Sequence, residues 1–246
     1  LLVSHIEHDP VIAGHVLSMA NKAGTNRYGG APINDVFTAI SLVGLARVRE
    51  VAILVSLADV FKGSDPGQPH GHFWHHSVAV GVCCVELAQY SRMDVHLDTA
   101  LVAGLLHDVG QLWLQRFEPT LLRQAWDEAV QRKVDITVTE RELMGVDHGQ
   151  IGGWLAQGWG LGDHIVKAVV HHHAPEAALG DPLVAVVHVA EVLSNALDLT
   201  RTGLNRVTSI SGAACATLGL DWGDDSHPLF GRIEARSRHA AAFFQG

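Results

Sequence analysis

Ala103-Gly104-Leu105-Leu106-His107-Asp108-Val109-Gly110 sets a histidine and an aspartate side by side where a hydrophobic, helix-forming run meets a glycine. Imidazole and carboxylate together suit one divalent cation of hard or borderline character. Ala100, Ala103 and Gly104 lie on the face leading to His107, and side chains that small let a second helix approach closely. The stretch therefore predicts a tightly packed helix with a ligand pair at its end. Two donors do not make a site, so the rest of the chain has to supply more.

Several of the 17 histidines stand where an apolar residue is expected. With 77–90 read as a helix, His76 at its start aligns with Val80 and Cys83 at the spacing of one face. A helix from Thr139 to Leu155, opened by a capping box of Thr139 and Glu142, carries the stripe Met144, His148, Ile151, Leu155. Ile165, Val169 and His172 share a face, as do Val184, Val187, His188 and Glu191. An inward carboxylate is costly unless paired or metal-bound. One inward histidine is ordinarily a hydrogen-bonded core residue, but five helical segments here deliver such groups to one interior. The candidate metal ligands are His76, His107, Asp108, His148, His172 and Glu191, one or two cations being held, with His173 and His188 as outer partners. The absence of thiolates from this set favours iron, manganese, nickel or magnesium over a structural zinc.

Composition narrows the function classes. At 246 residues and 48% hydrophobic content the chain can bury a sizeable core. Only 17% of residues are charged and the formal charge is -9, which argues against an electrostatic grip on nucleic acid and suits protein partners. Cys83, Cys84 and Cys215 have no metal-binding spacing, and their odd count fits a reducing cytoplasm. The longest apolar runs, such as Val51 to Val60, are shorter than the about 18 residues that a membrane helix needs. The chain opens Leu1-Leu2 without a methionine and reads as a fragment, which leaves room for a sensory domain before it.

The periodicity is helical nearly throughout, so the fold class is all-α, a helical bundle in which an N-terminal lobe packs on a second helical lobe. Asp9 caps a helix with Pro10 in its first turn; Val16, Met19, Ala20 and Ala23 form its apolar face and Gly24 ends it. A loop to Pro32 precedes a short helix from Asn34 to about Gly44, and Leu45, Val48, Ala52 and Val55 mark the next. Gly63-Ser64-Asp65-Pro66-Gly67-Gln68-Pro69 is the strongest breaker and separates a lobe 1–69 from a lobe 70–200. Helices are expected near 75–91, 98–108 (capped by Asp98-Thr99), 119–133, 139–157, 162–173 and 182–198. His70 and His72 are read as exposed loop residues. A C-terminal extension, 201–246, carries a weak helix over 207–218 and an amphipathic one marked by Leu229 and Ile233, all within one continuous domain.

The order His76-Ser77, His107-Asp108-Val109-Gly110, Asp147-His148-Gly149-Gln150-Ile151-Gly152 and His171-His172-His173 resembles the HD superfamily of metal-dependent phosphohydrolases. The N-terminal third is more specific. Asp9-Pro10-Val11-Ile12, Val16 through Asn21, Ala39-Ile40-Ser41-Leu42-Val43-Gly44 and Val48-Arg49 look like the pattern of the HD-related output domain, HDOD, a relative of the HD-GYP cyclic-di-GMP phosphodiesterases. Phe73 to Ser77 and Trp159-Gly160-Leu161 continue the likeness, which spans roughly residues 6 to 195.

The resemblance implies a bacterial signal-transduction output domain with signalling proteins as partners and room for a nucleotide ligand, while charge and the short apolar runs point to no nucleic acid and no membrane. Two departures set it apart from catalytic HD-GYP proteins: Gln111 stands where they carry a lysine, and Ala174 to Gly180 lacks their Gly-Tyr-Pro element. Glu191 replaces the late aspartate ligand of HD enzymes. Lys167 and Arg47 are the only basic residues to consider as phosphate clamps, and neither matches a family motif. The expectation is a non-catalytic regulatory domain. The alternative is a metal-dependent phosphohydrolase acting on a nucleotide or cyclic dinucleotide, with Asp108 at its centre.

Overall fold

The helical periodicity is realised as helices, and no strand occurs among the described residues. In this computed structural model those residues are 6, 10–24, 32–45, 47–48, 50, 52, 69–91, 93–200, 209–223 and 226–244. They fall into two compact units, residues 1–62 and 63–246. Asp9, Val55 and the breaker cluster 63–68 lie outside the described residues.

In the first unit α1 (Pro10–Gly24) packs against α2 (Val36–Val43). Their core holds Ile6, Val16, Ala20, Ile33, Ala39, Ile40 and Val48. Asp35, rather than Asn34, caps α2, its carboxylate accepting from the N–H groups of Phe37 and Thr38. Asn21 ties the two helices' approaches together. Its amide donates to Leu17 O and Ile33 O, and its Oδ1 accepts from Ile33 N–H at 2.7 Å.

The second unit runs α3 (Pro69–Tyr90), α4 (Leu97–Leu106), α5 (Val109–Phe117), α6 (Pro119–Arg132), α7 (Ile136–Met144), α8 (His148–Gly158), α9 (Asp163–His171), a 3₁₀ turn (Pro175–Ala178), α10 (Pro182–Ala196), α11 (Gly212–Leu218) and α12 (His227–Phe244). Four boundaries correct the sequence reading. Helix α3 begins at Pro69, a favoured first-turn residue, so His70 and His72 belong to a helix and not a loop. Helix α4 starts after His96, with Asp98 in its first turn, where a negative charge favours the helix N-terminus, instead of capping it. Helix α5 follows the His107-Asp108 turn at once and was not foreseen.

The expected helix 139–157 is two helices. Gly145 turns left-handed at φ 73°, and Asp147 caps α8 by accepting from Gln150 N–H at 2.8 Å. The capping box of Thr139 and Glu142 does not form. Asp135 caps α7, Thr139 Oγ1 donates to the carbonyl oxygens of Ala125 and Ile136, and Glu142 pairs with Arg132.

Glycines set how closely the helices approach. A Cβ on Gly104 of α4 would lie 2.7 Å from Cys84 Sγ and 2.8 Å from the Gly81 Cα of α3. One on Gly110 of α5 would fall 1.9 Å from the His148 carbonyl oxygen at the start of α8, and one on Gly153 would meet Val170 of α9 at 2.3 Å. Helices α3, α4, α5, α8 and α9 are thereby drawn in around the His107-Asp108 turn. Helix α12 closes α3 from another side, Arg232 and Arg236 pairing with the buried Glu86 and Leu229 and Ile233 being fully buried.

Gly104→Ala is expected to destabilise the protein by about 1–3 kcal/mol, since backbone of α3 blocks the new methyl group. Gly231→Ala, in an exposed interior turn of α12 with open space around it, is expected to be neutral or stabilising by roughly 0.5–1 kcal/mol. Chemical denaturation of the two variants beside the parent measures the contrast, and equal stabilities would contradict the packing.

Candidate metal centre

Asp108 follows α4 at the turn into α5, and its carboxylate is the meeting point of imidazoles from four other positions. His107 Nε2 lies 3.4 Å and His76 Nε2 3.7 Å from Oδ2; His148 Nε2 lies 3.2 Å and His172 Nε2 3.5 Å from Oδ1. Glu191 of α10 stands 4.0 Å from His172 Nε2 and 3.7 Å from His173 Nε2. All six sequence-predicted ligands are thus brought together. His107, Asp108, His148 and His172 are buried, while the side chains of His76, His173 and Glu191 keep 13–15% exposure and mark the side nearest solvent.

The opposite ring nitrogens explain the orientation. His107 Nδ1 lies 2.7 Å from Gly104 O, and His172 Nδ1 2.7 Å from Val169 O. A carbonyl can only accept, so Nδ1 carries a hydrogen and Nε2 is the nitrogen turned inward. His148 Nδ1 donates to Glu140 Oε2 at 2.7 Å, and His173 Nδ1 to Asp135 Oδ2 at 3.0 Å. Holding one ring nitrogen by an acceptor so that the other is free to ligate is the usual support of a metal-bound histidine.

Several inward atoms have no hydrogen-bond partner: His107 Nε2, His173 Nε2 and Asp108 Oδ1 are buried and unsatisfied, and His148 Nε2 faces His172 Nε2 at 3.3 Å. Buried polar atoms left in this state are rare and call for an explanation. A cation supplies one, because it accepts lone pairs from every side. Three overlapping sets have ligand atoms close enough to share an ion: Asp108 with His148, His172 and His173; His76, His107 and Asp108; and His107, His172 and Glu191. Asp108 belongs to two of them. The donors therefore fit a divalent cation, with His76, His107, Asp108, His148, His172, His173 and Glu191 able to hold it.

Electrostatics point the same way. Burial disfavours charge on each group, and neighbours decide the outcome. Burial lowers the His148 pKa, but Glu140 outweighs it and holds the ring well above its ordinary value; Asp108 does the same for His107 to a lesser degree. Burial and the charge of His173 bring His172 down to about 4. His173 is raised to about 9 against burial, by Glu191 and then Asp135. Asp108 is held well below the carboxylate range by His107, despite its burial. The carboxylates thus draw His148, His107 and His173 up, while His172 is drawn down.

Two expectations change. His173, expected as an outer partner, reaches the inner set through Nε2. His188 does not face the cluster: its Nδ1 donates to His172 O at 2.7 Å and its Nε2 accepts from Ser211 N–H at 3.0 Å, so it braces backbone on two sides. Sequence reasoning missed Glu140 and Asp135. Glu140 was legible as an inward carboxylate one turn beyond the buried Ile136, had α7 been started at Asp135. Of the two basic residues weighed as phosphate clamps, Lys167 is exposed on α9 and Arg47 pairs with Glu50 within the first unit.

The model of the HDOD domain matches residues 2–175. The chain belongs to the HDOD family. Glu191 and His188 lie beyond the matched stretch, which ends short of the residue 195 expected from the motifs. This HDOD chain is 24% identical over 202 residues to an uncharacterised protein of Treponema pallidum (strain Nichols), 80% of the chain aligning with 38% of that protein. It therefore spans well under half the length of that relative. Its fold is similar to a candidate signal transduction protein of Marinobacter aquaeolei VT8, with TM-score 0.65, 23% identity, and coverage of 99% of this chain and 54% of that one. It is also similar to a candidate phosphohydrolase of Shewanella amazonensis SB2B, with TM-score 0.64, 23% identity, and coverage of 98% and 85%. At these identities the likeness is one of fold.

His188→Ala is expected to lower stability by about 1–3 kcal/mol, chiefly by stranding the buried His172 O, while leaving any metal binding by the cluster intact. Asp108→Ala is expected to abolish stoichiometric binding. Thermal denaturation with elemental analysis of both variants separates the two roles; loss of metal from His188→Ala alone would reverse them.

Proposed function

We propose that this HDOD chain is a regulatory output domain of bacterial signal transduction whose buried His/Asp cluster holds a divalent metal without hydrolytic turnover. The observation that carries the proposal is the set of imidazole Nε2 atoms turned inward around Asp108, coupled to a shortage, among the described residues, of groups for handling phosphate. Gln111 occupies the position after the HD motif where catalytic relatives carry a lysine, and the segment after His173 folds into the 3₁₀ turn Pro175–Ala178 instead of a Gly-Tyr-Pro element. A neutral amide donates a hydrogen bond but not the charge-assisted one of a cation. Arg141, near the start of α8, is committed to Asp147. The fold likeness to a candidate signal transduction protein supports the regulatory reading.

Mixed imidazole and carboxylate donors, with the buried Cys83, Cys84 and Cys215 outside the cluster, favour iron, manganese, nickel or magnesium over thiolate-bound zinc. Signalling proteins are the proposed partners and the cytoplasm the proposed location. The formal charge of -9 and the odd count of cysteines, none of them bridged, support this.

A second reading, a phosphohydrolase acting on a nucleotide or cyclic dinucleotide, draws on the partial exposure of His76, His173 and Glu191 and on the likeness to a candidate phosphohydrolase. What a bound divalent cation supplies at such a site is Lewis acidity toward water and phosphoryl oxygen. That is half of the reaction, because the phosphodiester must also be held and its developing charge offset.

The test is cyclic-di-GMP hydrolysis by metal-replete protein, with manganese and iron supplied in turn. The expected outcome is stoichiometric metal and no turnover. Turnover that disappears in His107→Ala and Asp108→Ala would install the phosphohydrolase reading instead.

A further inference from the structure

Helix α7 contributes no ligand, yet it carries or is capped by both carboxylates that grip the cluster from outside. Glu140 lies in its second turn and is fully buried. Its Oε2 accepts from His148 twice, from the backbone N–H at 2.9 Å and from Nδ1–H at 2.7 Å, which fixes the ring relative to the first turn of α8. Its other oxygen, Oε1, is buried with no partner. Asp135, the N-cap of α7, accepts from Thr137 N–H at 2.9 Å and Thr137 Oγ1 at 2.7 Å through Oδ1, and from His173 Nδ1 through Oδ2. The imidazoles so held, His148 and His173, belong to the same candidate ligand set with Asp108 and His172.

We infer that Asp135 and Glu140 are positioning residues of the metal centre, which set the affinity and ligand field of a cation held by His148 and His173. The inference rests on the reading that the cluster binds metal. Two physical effects separate this role from ordinary core bonding. A carboxylate on Nδ1–H makes the far nitrogen a more basic donor than a carbonyl does, so His148 and His173 bind more strongly than His107 and His172, whose Nδ1 atoms face Gly104 O and Val169 O. A buried carboxylate oxygen without a partner, Glu140 Oε1, is also costly to folding. A neutral side chain would give the same hydrogen-bond geometry at less cost. The carboxylates are accounted for by what they do to the far ring nitrogens, which face the cation.

The placement of α7 makes this geometry rigid. Thr139, buried one residue before Glu140, ties α7 to α6 through Ala125 O, and Ile136 packs with Ala125 and Ala129. Both carboxylates are held by a helix anchored away from the metal, so neither has to be ordered when the cation arrives.

The experiment is a cobalt(II) titration of the metal-stripped full chain, followed by visible absorption, on the parent, Glu140→Gln, Asp135→Asn and Glu142→Gln. Each substitution keeps the shape and removes the charge; Glu142 lies on the solvent side of α7, paired with Arg132. The expected result is an affinity lower by about ten- to hundredfold in Glu140→Gln and Asp135→Asn, with a displaced cobalt band, and no change in Glu142→Gln. Parent-like affinity and spectrum in both Glu140→Gln and Asp135→Asn would overturn the inference. Failure of the parent itself to bind cobalt would instead remove the metal reading beneath it. Should Glu140→Gln not fold, Asp135→Asn, whose side chain is partly exposed, decides the outcome alone.

Discussion

The second unit of this protein is organised around one constraint: the Asp108 carboxylate is out of bulk water, and so must be surrounded by groups that compensate its charge. Four imidazoles stand within 3.7 Å of it, and they come from α3, from the α4–α5 turn, from α8 and from the end of α9. A buried carboxylate deprived of such partners is among the most destabilising features a core can contain. The packing of these helices and the assembly of the cluster therefore depend on each other. The helices do not merely display the donors; their mutual position is fixed by the need to bring them together.

That requirement explains the glycines. Side chains that meet at one carboxylate demand helix axes closer than ordinary packing allows, and the chain meets the demand by removing Cβ atoms at the crossings. Gly81 and Gly104 do so between α3 and α4, Gly110 and Gly152 between α5 and α8, and Gly152 and Gly153 between α8 and α9. The HD-x-G glycine is thus not a turn residue, since its missing Cβ is the space taken by the His148 carbonyl oxygen. Glycine inside a helix costs conformational entropy, about 0.5–1 kcal/mol against alanine, and here that cost is offset by the close approach it permits.

The helical class and the inward histidines were legible in the sequence because both rest on periodicity, which records which face is buried. His172 and Glu191 are read correctly as inward for that reason, and His76, His107 and His148 likewise. What periodicity does not encode is the partner. It treats His173 and His188 alike, although His173 turns Nε2 to the cluster while His188 spans His172 O and Ser211 N–H, a difference set by contacts 16 and 23 residues away. The split of 139–157 escaped because Gly145 and Asp147 act as stop and start signals only together, and Thr139 with Glu142 mimics a cap at the wrong place. Once α7 is begun at Asp135, Glu140 falls one turn after Ile136 and its inward direction follows. The missed helix α5 has a simpler cause: its buried residues are few, Val109, Gly110 and Leu114, too sparse for a stripe.

Ligation and phosphate chemistry are separable in this architecture because they draw on different parts of it. The ligands occupy interior positions where each imidazole compensates a carboxylate and each carboxylate an imidazole, so replacing one leaves its partner stranded in the core. The positions where catalytic relatives carry a lysine and a Gly-Tyr-Pro element, Gln111 and the stretch after His173, are half-buried or exposed except for the buried Pro175, and they lie outside the cluster. Changes there are cheap to the fold, whereas changes in the cluster are not. Fold stability alone is therefore enough to keep the donor set intact, so the ligands and the groups that handle phosphate have to be judged separately, each on its own residues.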